Sequence, residues 1–157
     1  MAVSLDNIDL TLLHELQEDA DRPNVELARL VGLSPAATLN RVRRLKESGV
    51  IRSIAARLDA AAAGFPLQVY VSVALTRHDD AGHRRFEATV KEMGEVIAAD
   101  WVTGEIDAML LVVARDVAQL QRVLSLLSTK GGASRVVTLL RLEELKPASP
   151  LPLVATR

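Results

Sequence analysis

"LSPAATLNRVRRLKESGVI", residues 33–51, gathers four bases, Arg41, Arg43, Arg44 and Lys46, within six positions. Ser34 is a residue type that caps helix N-termini, and Pro35 falls in the first turn, where a missing N–H costs nothing. Gly49 supplies a left-handed stop at the other end. Between these signals the spacing predicts a helix with Leu39, Val42 and Leu45 as its apolar stripe. Ala36, Ala37, Asn40, Arg41 and Arg44 then face outward, flanked by Arg43 and Lys46. Charge runs of this kind are usually solvated faces, so the stretch has to be weighed in its surroundings.

Those surroundings favour a helix made to meet a polyanion. The net charge is only −1, but it is unevenly spread. Residues 1–26 carry seven acids (Asp6, Asp9, Glu15, Glu18, Asp19, Asp21, Glu26) against Arg22, a balance of −6. Residues 29–57 carry seven bases (Arg29, Arg41, Arg43, Arg44, Lys46, Arg52, Arg57) against Glu47, a balance of +6. Local fields steer partners where net charge cannot. Upstream, Leu5, Ile8, Leu12, Leu13 and Leu16 recur at helical spacing, and Asp6 with Asp9 resembles a capping box. "DRPN" breaks that helix, Asn24 is placed to cap a second one over "VELARLV", and Gly32 ends it. Downstream, "VIRSIAARLD" reads as a short extended wing. A bracing helix, two helices around a tight corner and a wing describe a winged helix-turn-helix.

"AAAAGFP", residues 60–66, reads as a linker, and a different rhythm follows it. "LQVYVSVAL" is a strand, "DDAGHRRFEATVKEMGEV" a helix, and strands near 96–102 and 108–114 flank "TGEID". "DVAQLQRVLSLLSTKG" is a second helix, and a last strand runs near 134–144. This β-α-β-β-α-β order is the ferredoxin-like arrangement, so the fold class is α+β. The expected organisation is residues 1–59, a linker at 60–66, a second domain at 67–146 and a tail at 147–157. One face of the sheet is left uncovered and rich in Val and Leu, and a homodimer would bury it.

Several functions are excluded or disfavoured. The chain has no cysteine, which removes disulfides, thiolate catalysis and Cys-type zinc sites. His14, His78 and His83 show no metal-ligand spacing and read as surface or satisfied polar groups. No Ser-His or paired-carboxylate arrangement is evident, so neither an enzyme nor a bound cofactor or metal is expected. No apolar run reaches the ~18 residues that span a bilayer, and no signal peptide opens the chain. The expectation is a soluble cytoplasmic protein with no membrane partner.

Taken together, "LDNIDLTLLHELQEDADRPNVELARLVGLSPAATLNRVRRLKESGVIRSIAARLD", "VTGEIDAMLLVVARD" and "VVTLLRLEELK" resemble the leucine-responsive/asparagine-regulator (Lrp/AsnC) family of transcription factors. The resemblance covers about residues 5–146. It implies DNA binding by the first domain and binding of a small effector, an amino acid, by the second. It also implies homodimers that assemble into octamers. A sirohaem-decarboxylase-like enzyme is the rival class, but those relatives carry histidines in the central strands, and "VIAADWVTGEIDAMLLVVAR" has none. A ligand-independent architectural DNA-binding protein is a second alternative.

The candidate contacts to double-stranded DNA are Ser34, Ala36, Ala37, Thr38, Asn40, Arg41, Arg43 and Arg44. Small residues at 36 and 37 let the helix N-terminus enter a major groove. Arg41 and Arg44 can reach guanine edges or phosphates, and Asn40 can read adenine. Position 40 is basic in many proteins that this chain resembles, so their operator is not carried over. The candidate effector site is Thr103, Gly104, Glu105 and Asp107, with Thr138 in the last strand. Backbone N–H groups of such a turn suit an α-carboxylate, and Glu105 or Asp107 an α-ammonium. The family often has an aromatic after the aspartate, and this chain has Ala108. Trp101 is expected in core or interface packing.

Overall fold

The computed structural model describes residues 4–77 and 79–153. His78 and the last four positions of the tail lie outside the described residues. The chain divides into two units, one running to Ala56 and taking in residues from Lys146 onward, the other Arg57–Leu145.

Helix α1 spans Asn7–Glu18 and starts in the capping box expected from the sequence. Asp6 Oδ1 accepts from the Asp9 N–H at 2.8 Å, and Asp9 Oδ2 from the Asp6 N–H at 3.2 Å. Helix α2, Asn24–Val31, begins one residue earlier than Asn24 capping would place it. Pro23 holds the cap position without a side-chain bond, and Asn24 instead donates from its side chain to the Pro35 carbonyl at 2.8 Å. That bond ties the start of α2 to the start of α3. Gly32 turns the corner at φ 67°, a conformation glycine adopts without Cβ strain.

Helix α3, Pro35–Glu47, has Ser34 Oγ accepting from the Ala37 N–H at 3.2 Å. It ends at Gly49, φ 76°, where the Ile51 N–H closes onto the Leu45 carbonyl at 3.0 Å. Leu12, Leu27 and Val42 form the centre of the three-helix core, with Ile8, Leu16 and Val31 packed against it. Residues 50–59, expected as a wing, are exposed from position 52 onward and pair with no strand among the described residues. The tail returns to α1, where the Gln17 amide accepts from the Leu151 N–H at 2.7 Å.

The second unit has strands β1 (Leu67–Leu75), β2 (Val96–Trp101), β3 (Ala108–Ala114) and β4 (Ala133–Leu140). Helices α4 (Asp80–Glu92) and α5 (Val117–Thr129) follow β1 and β3. The sheet order is β2-β3-β1-β4 with every neighbouring pair antiparallel, as the ferredoxin-like reading requires. Alternation along β1 sends Val69, Val71 and Val73 to the helix-covered side, where they meet Phe86, Leu110, Val112, Val123 and Leu127. Tyr70, Val137 and Leu139 point to the other side and stay 41, 43 and 52% exposed. Residues 59–65 fold into a hydrogen-bonded turn, Phe65 N–H to Ala60 carbonyl at 2.8 Å, with the Arg115 guanidinium over the Phe65 ring.

Candidate nucleic-acid interface and the β2–β3 loop

The buried row of α3 is Thr38, Val42 and Leu45, not Leu39, Val42 and Leu45. Leu39 is 48% exposed. Residues three apart step back about 60° around a helix, so 39 and 45 end up about 120° apart, whereas 38, 42 and 45 lie within about 60°. The i, i+4, i+7 row therefore wins, and a threonine completes it. Thr38 is fully buried and, among the described residues, its Oγ1 has no hydrogen-bond partner, so this candidate contact packs in the core of the free chain. The direction opposite that row runs through Ala36, Asn40, Arg43 and Glu47, all exposed. Among the described residues no hydrogen bond or ion pair engages the side chains of Asn40 and Arg43. Ser34 lies exposed at the cap and Ala37 half-buried beside it.

The other two arginines turn back toward α1. Arg41 Nη1 donates to Asp6 Oδ2 at 2.7 Å and to Asp9 Oδ1 at 3.0 Å. Arg44 Nη2 donates to Asp9 Oδ2. The side chain of Asp9 is only 1% exposed, against 53% for Asp6. A carboxylate so deeply buried must be paired to stay charged. The hydrogen bond from the Asp9 N–H, then that from Arg41, holds the Asp6 carboxyl below its ordinary range. Bonds to Asp6 and then to Asp9 raise the Arg41 guanidinium above its own. Both guanidiniums thus lie against α1, whereas the sequence pattern alone turned Arg41 and Arg44 outward. The clue was legible in part, since Asp6 and Asp9 are the acids nearest the start of α1 and two arginines share a flank of α3.

In the β2–β3 loop, Thr103, Gly104 and Glu105 are exposed, and Gly104 has φ 121°, a value that L side chains avoid. Asp107 has a structural job. Its Oδ2 accepts from the Leu75 N–H at 2.7 Å, and its own N–H donates to the Val73 carbonyl at 2.9 Å. The loop is thus pinned to the end of β1. Thr138 pairs with Val71 on edge strand β4, so β1 and β3 separate it from β2. Within one chain the structure does not bring Thr138 to the loop. Ala108 is 2% exposed and belongs to the core.

Sequence reasoning missed an aromatic group beside the loop. The Trp101 ring, 49% exposed, stands 4.9 Å from that of His83 and 5.5 Å from that of Phe86. A cavity of about 260 Å³ opens there, lined in part by Phe86, Lys91, Asp100 and Trp101. Helical spacing did place Phe86 inward; nothing in the sequence located its partner on β2.

Residues 5–46 match the sequence model of the AsnC-type helix-turn-helix domain, and residues 68–151 that of the Lrp/AsnC ligand binding domain. A leucine-responsive regulatory protein of Rhizobium meliloti is 40% identical over 147 residues, 93% of this chain and 94% of the relative. The HTH-type transcriptional regulator AldR of Mycolicibacterium smegmatis is 38% identical over 151 residues, 96% of this chain and 88% of that one. Among solved structures, a Neisseria meningitidis transcriptional regulator in complex with L-Met superposes with a TM-score of 0.86 at 31% identity. That match covers 95% of this chain and 97% of the other.

Proposed function

The chain belongs to the Lrp/AsnC family of transcriptional regulators, with a helix-turn-helix domain and a ligand-binding domain, and from that premise we propose that it reads specific DNA through the Ala36–Asn40–Arg43 face of α3. Its relatives are regulators, and it is not an enzyme. The observation that carries the proposal is the outward row of α3. Two alanines at the N-terminal turn admit the helix to a major groove, and the Asn40 and Arg43 side chains are exposed and, among the described residues, unengaged. Asn pairs with adenine edges and Arg with guanine edges or phosphates. Ser34 adds a hydroxyl beside the first N–H groups of α3, a place that suits a phosphate.

The effector of this reading is an amino acid, held at the exposed Thr103–Gly104–Glu105 turn. The L-Met bound by the similar Neisseria regulator supports that class. Glu105 supplies a carboxylate for an α-ammonium. Asp107 holds the turn in shape, and Thr138 would join such a site only from another chain. The uncovered sheet face around Tyr70, Val137 and Leu139 supports homodimers, and further assembly to octamers follows from contacts between dimers. Two recognition helices would then meet DNA about one turn apart, on an imperfect palindrome.

Gel shifts against the DNA upstream of the protein's own gene test the first part, and thermal shift with each of the twenty amino acids tests the second. The expectation is a salt-sensitive shift that exceeds that of a scrambled duplex, and a melting temperature raised by at least one amino acid. Equal affinity for the scrambled duplex would remove the specific-reader assignment. No response to any amino acid would remove the effector class.

A further inference from the structure

We propose that Asp9 is a positioning residue for DNA reading: by clamping Arg41 and Arg44 against α1, it keeps both guanidiniums off the phosphates and leaves recognition to Asn40 and Arg43. The inference rests on the assignment of α3 as the DNA-reading helix. Asp9 stands where three needs meet. Its backbone N–H completes the α1 cap on Asp6, its Oδ2 accepts from the Asp6 N–H, and its two oxygens receive Arg41 and Arg44. With Asp6 and Asp9 opposite Arg41 and Arg44, the group is formally neutral. Of the four bases on α3, Arg43 and Lys46 are left to carry its field.

Geometry and energetics both favour a clamp that holds when DNA arrives. Arg44 lies roughly 70° and Arg41 roughly 130° from the outward direction of α3, on the α1 side. A phosphate that drew Arg44 away would strip a partner from a carboxylate that is 1% exposed, and uncompensated buried charge is among the costliest states in a protein. Bases that grip phosphates irrespective of sequence raise affinity for all DNA, whereas specificity depends on the ratio of operator to random binding. Neutralising two arginines lowers the non-specific part and fixes the roll of α3 at once.

The test uses the full chain, titrated by salt on its own upstream duplex and on a random duplex. Asp9→Asn keeps the shape and one acceptor for the Asp6 N–H but removes the charge that holds Arg44. Each freed arginine adds about 0.9 to the steepness of log affinity against log salt, so Asp9→Asn should steepen it by about 1–2. Its random-duplex binding should lose roughly three- to tenfold more than wild type does between about 50 and 200 mM salt. A residue of purely structural importance would lower the melting temperature and leave that slope alone. Arg44→Ala, a half-exposed change, serves if Asp9→Asn does not fold. In the wild-type background it should leave the slope unchanged, and in Asp9→Asn it should bring the slope back. An unchanged slope in folded Asp9→Asn, or a slope lowered by about 1 in Arg44→Ala alone, overturns the clamp. Absence of any DNA binding by the wild type overturns the reading beneath it instead.

Discussion

At the scale of single residues, α3 shows how about 100° of helical phase changes what an arginine does. Arg43 and Arg44 are adjacent, yet one stands on the outer row and the other is spent on Asp9. Thr38 makes the complementary point. It sits in the core with an unpartnered hydroxyl, and a buried unpaired polar group costs about 1–3 kcal/mol. Thr38→Val keeps the shape and removes the orphan, so it should stabilise the helical unit by about 1 kcal/mol, seen as a higher melting temperature, with DNA affinity unchanged. A loss of DNA affinity in Thr38→Val at unchanged stability would return Thr38 to the contact surface. The sequence pointed to a polar residue at position 38 and a leucine at 39, and polarity misassigned both. Only the spacing of Val42 and Leu45 held the answer.

At the scale of elements, caps and stops were the most legible features. The Asp6/Asp9 box, the Ser34 cap and the glycine stops at 32 and 49 all stand where the residue types indicate, because each acts through atoms within a few positions of itself. What the sequence did not disclose depends on partners far along the chain. Asp107 was read as a candidate ligand group and is used to receive the Leu75 N–H, a residue in another strand. Trp101 was expected to pack, but its His83 and Phe86 neighbours come from α4. The β2–β3 turn keeps Glu105 as its exposed carboxylate, and this separates the two acids by role. Glu105→Ala should therefore abolish the thermal shift with the effective amino acid while leaving the unliganded stability within about 0.5 kcal/mol of wild type, as surface changes do. A full ligand shift in Glu105→Ala would place the ammonium contact elsewhere.

At the scale of the whole molecule, each unit keeps its own core, and the βαββαβ order read from strand and helix rhythm is the order found. The open sheet face is the largest consequence of that topology: both helices lie on one side, and Tyr70, Val137 and Leu139 remain on the other. Exposed apolar faces of this kind mark association surfaces. In the proposed homodimer, Leu139→Asp should reduce the mass measured by light scattering to that of a monomer, since a charge on a symmetric patch is buried twice. An unchanged mass would move the proposed dimer contact off this face. The wing was the least legible part, because residues 50–59 have no strand beside them among the described residues and the pattern of a strand does not supply its partner.

Whether the outer row of α3 reads DNA is decided by the affinity of Arg43→Ala for the upstream duplex beside that of the wild type. Arg43→Ala should lose about 1–3 kcal/mol, roughly tenfold or more, concentrated on the specific duplex if Arg43 reads a base and shared with the random one if it holds a phosphate. Wild-type affinity on both duplexes, from a variant that melts as the wild type does, would contradict it.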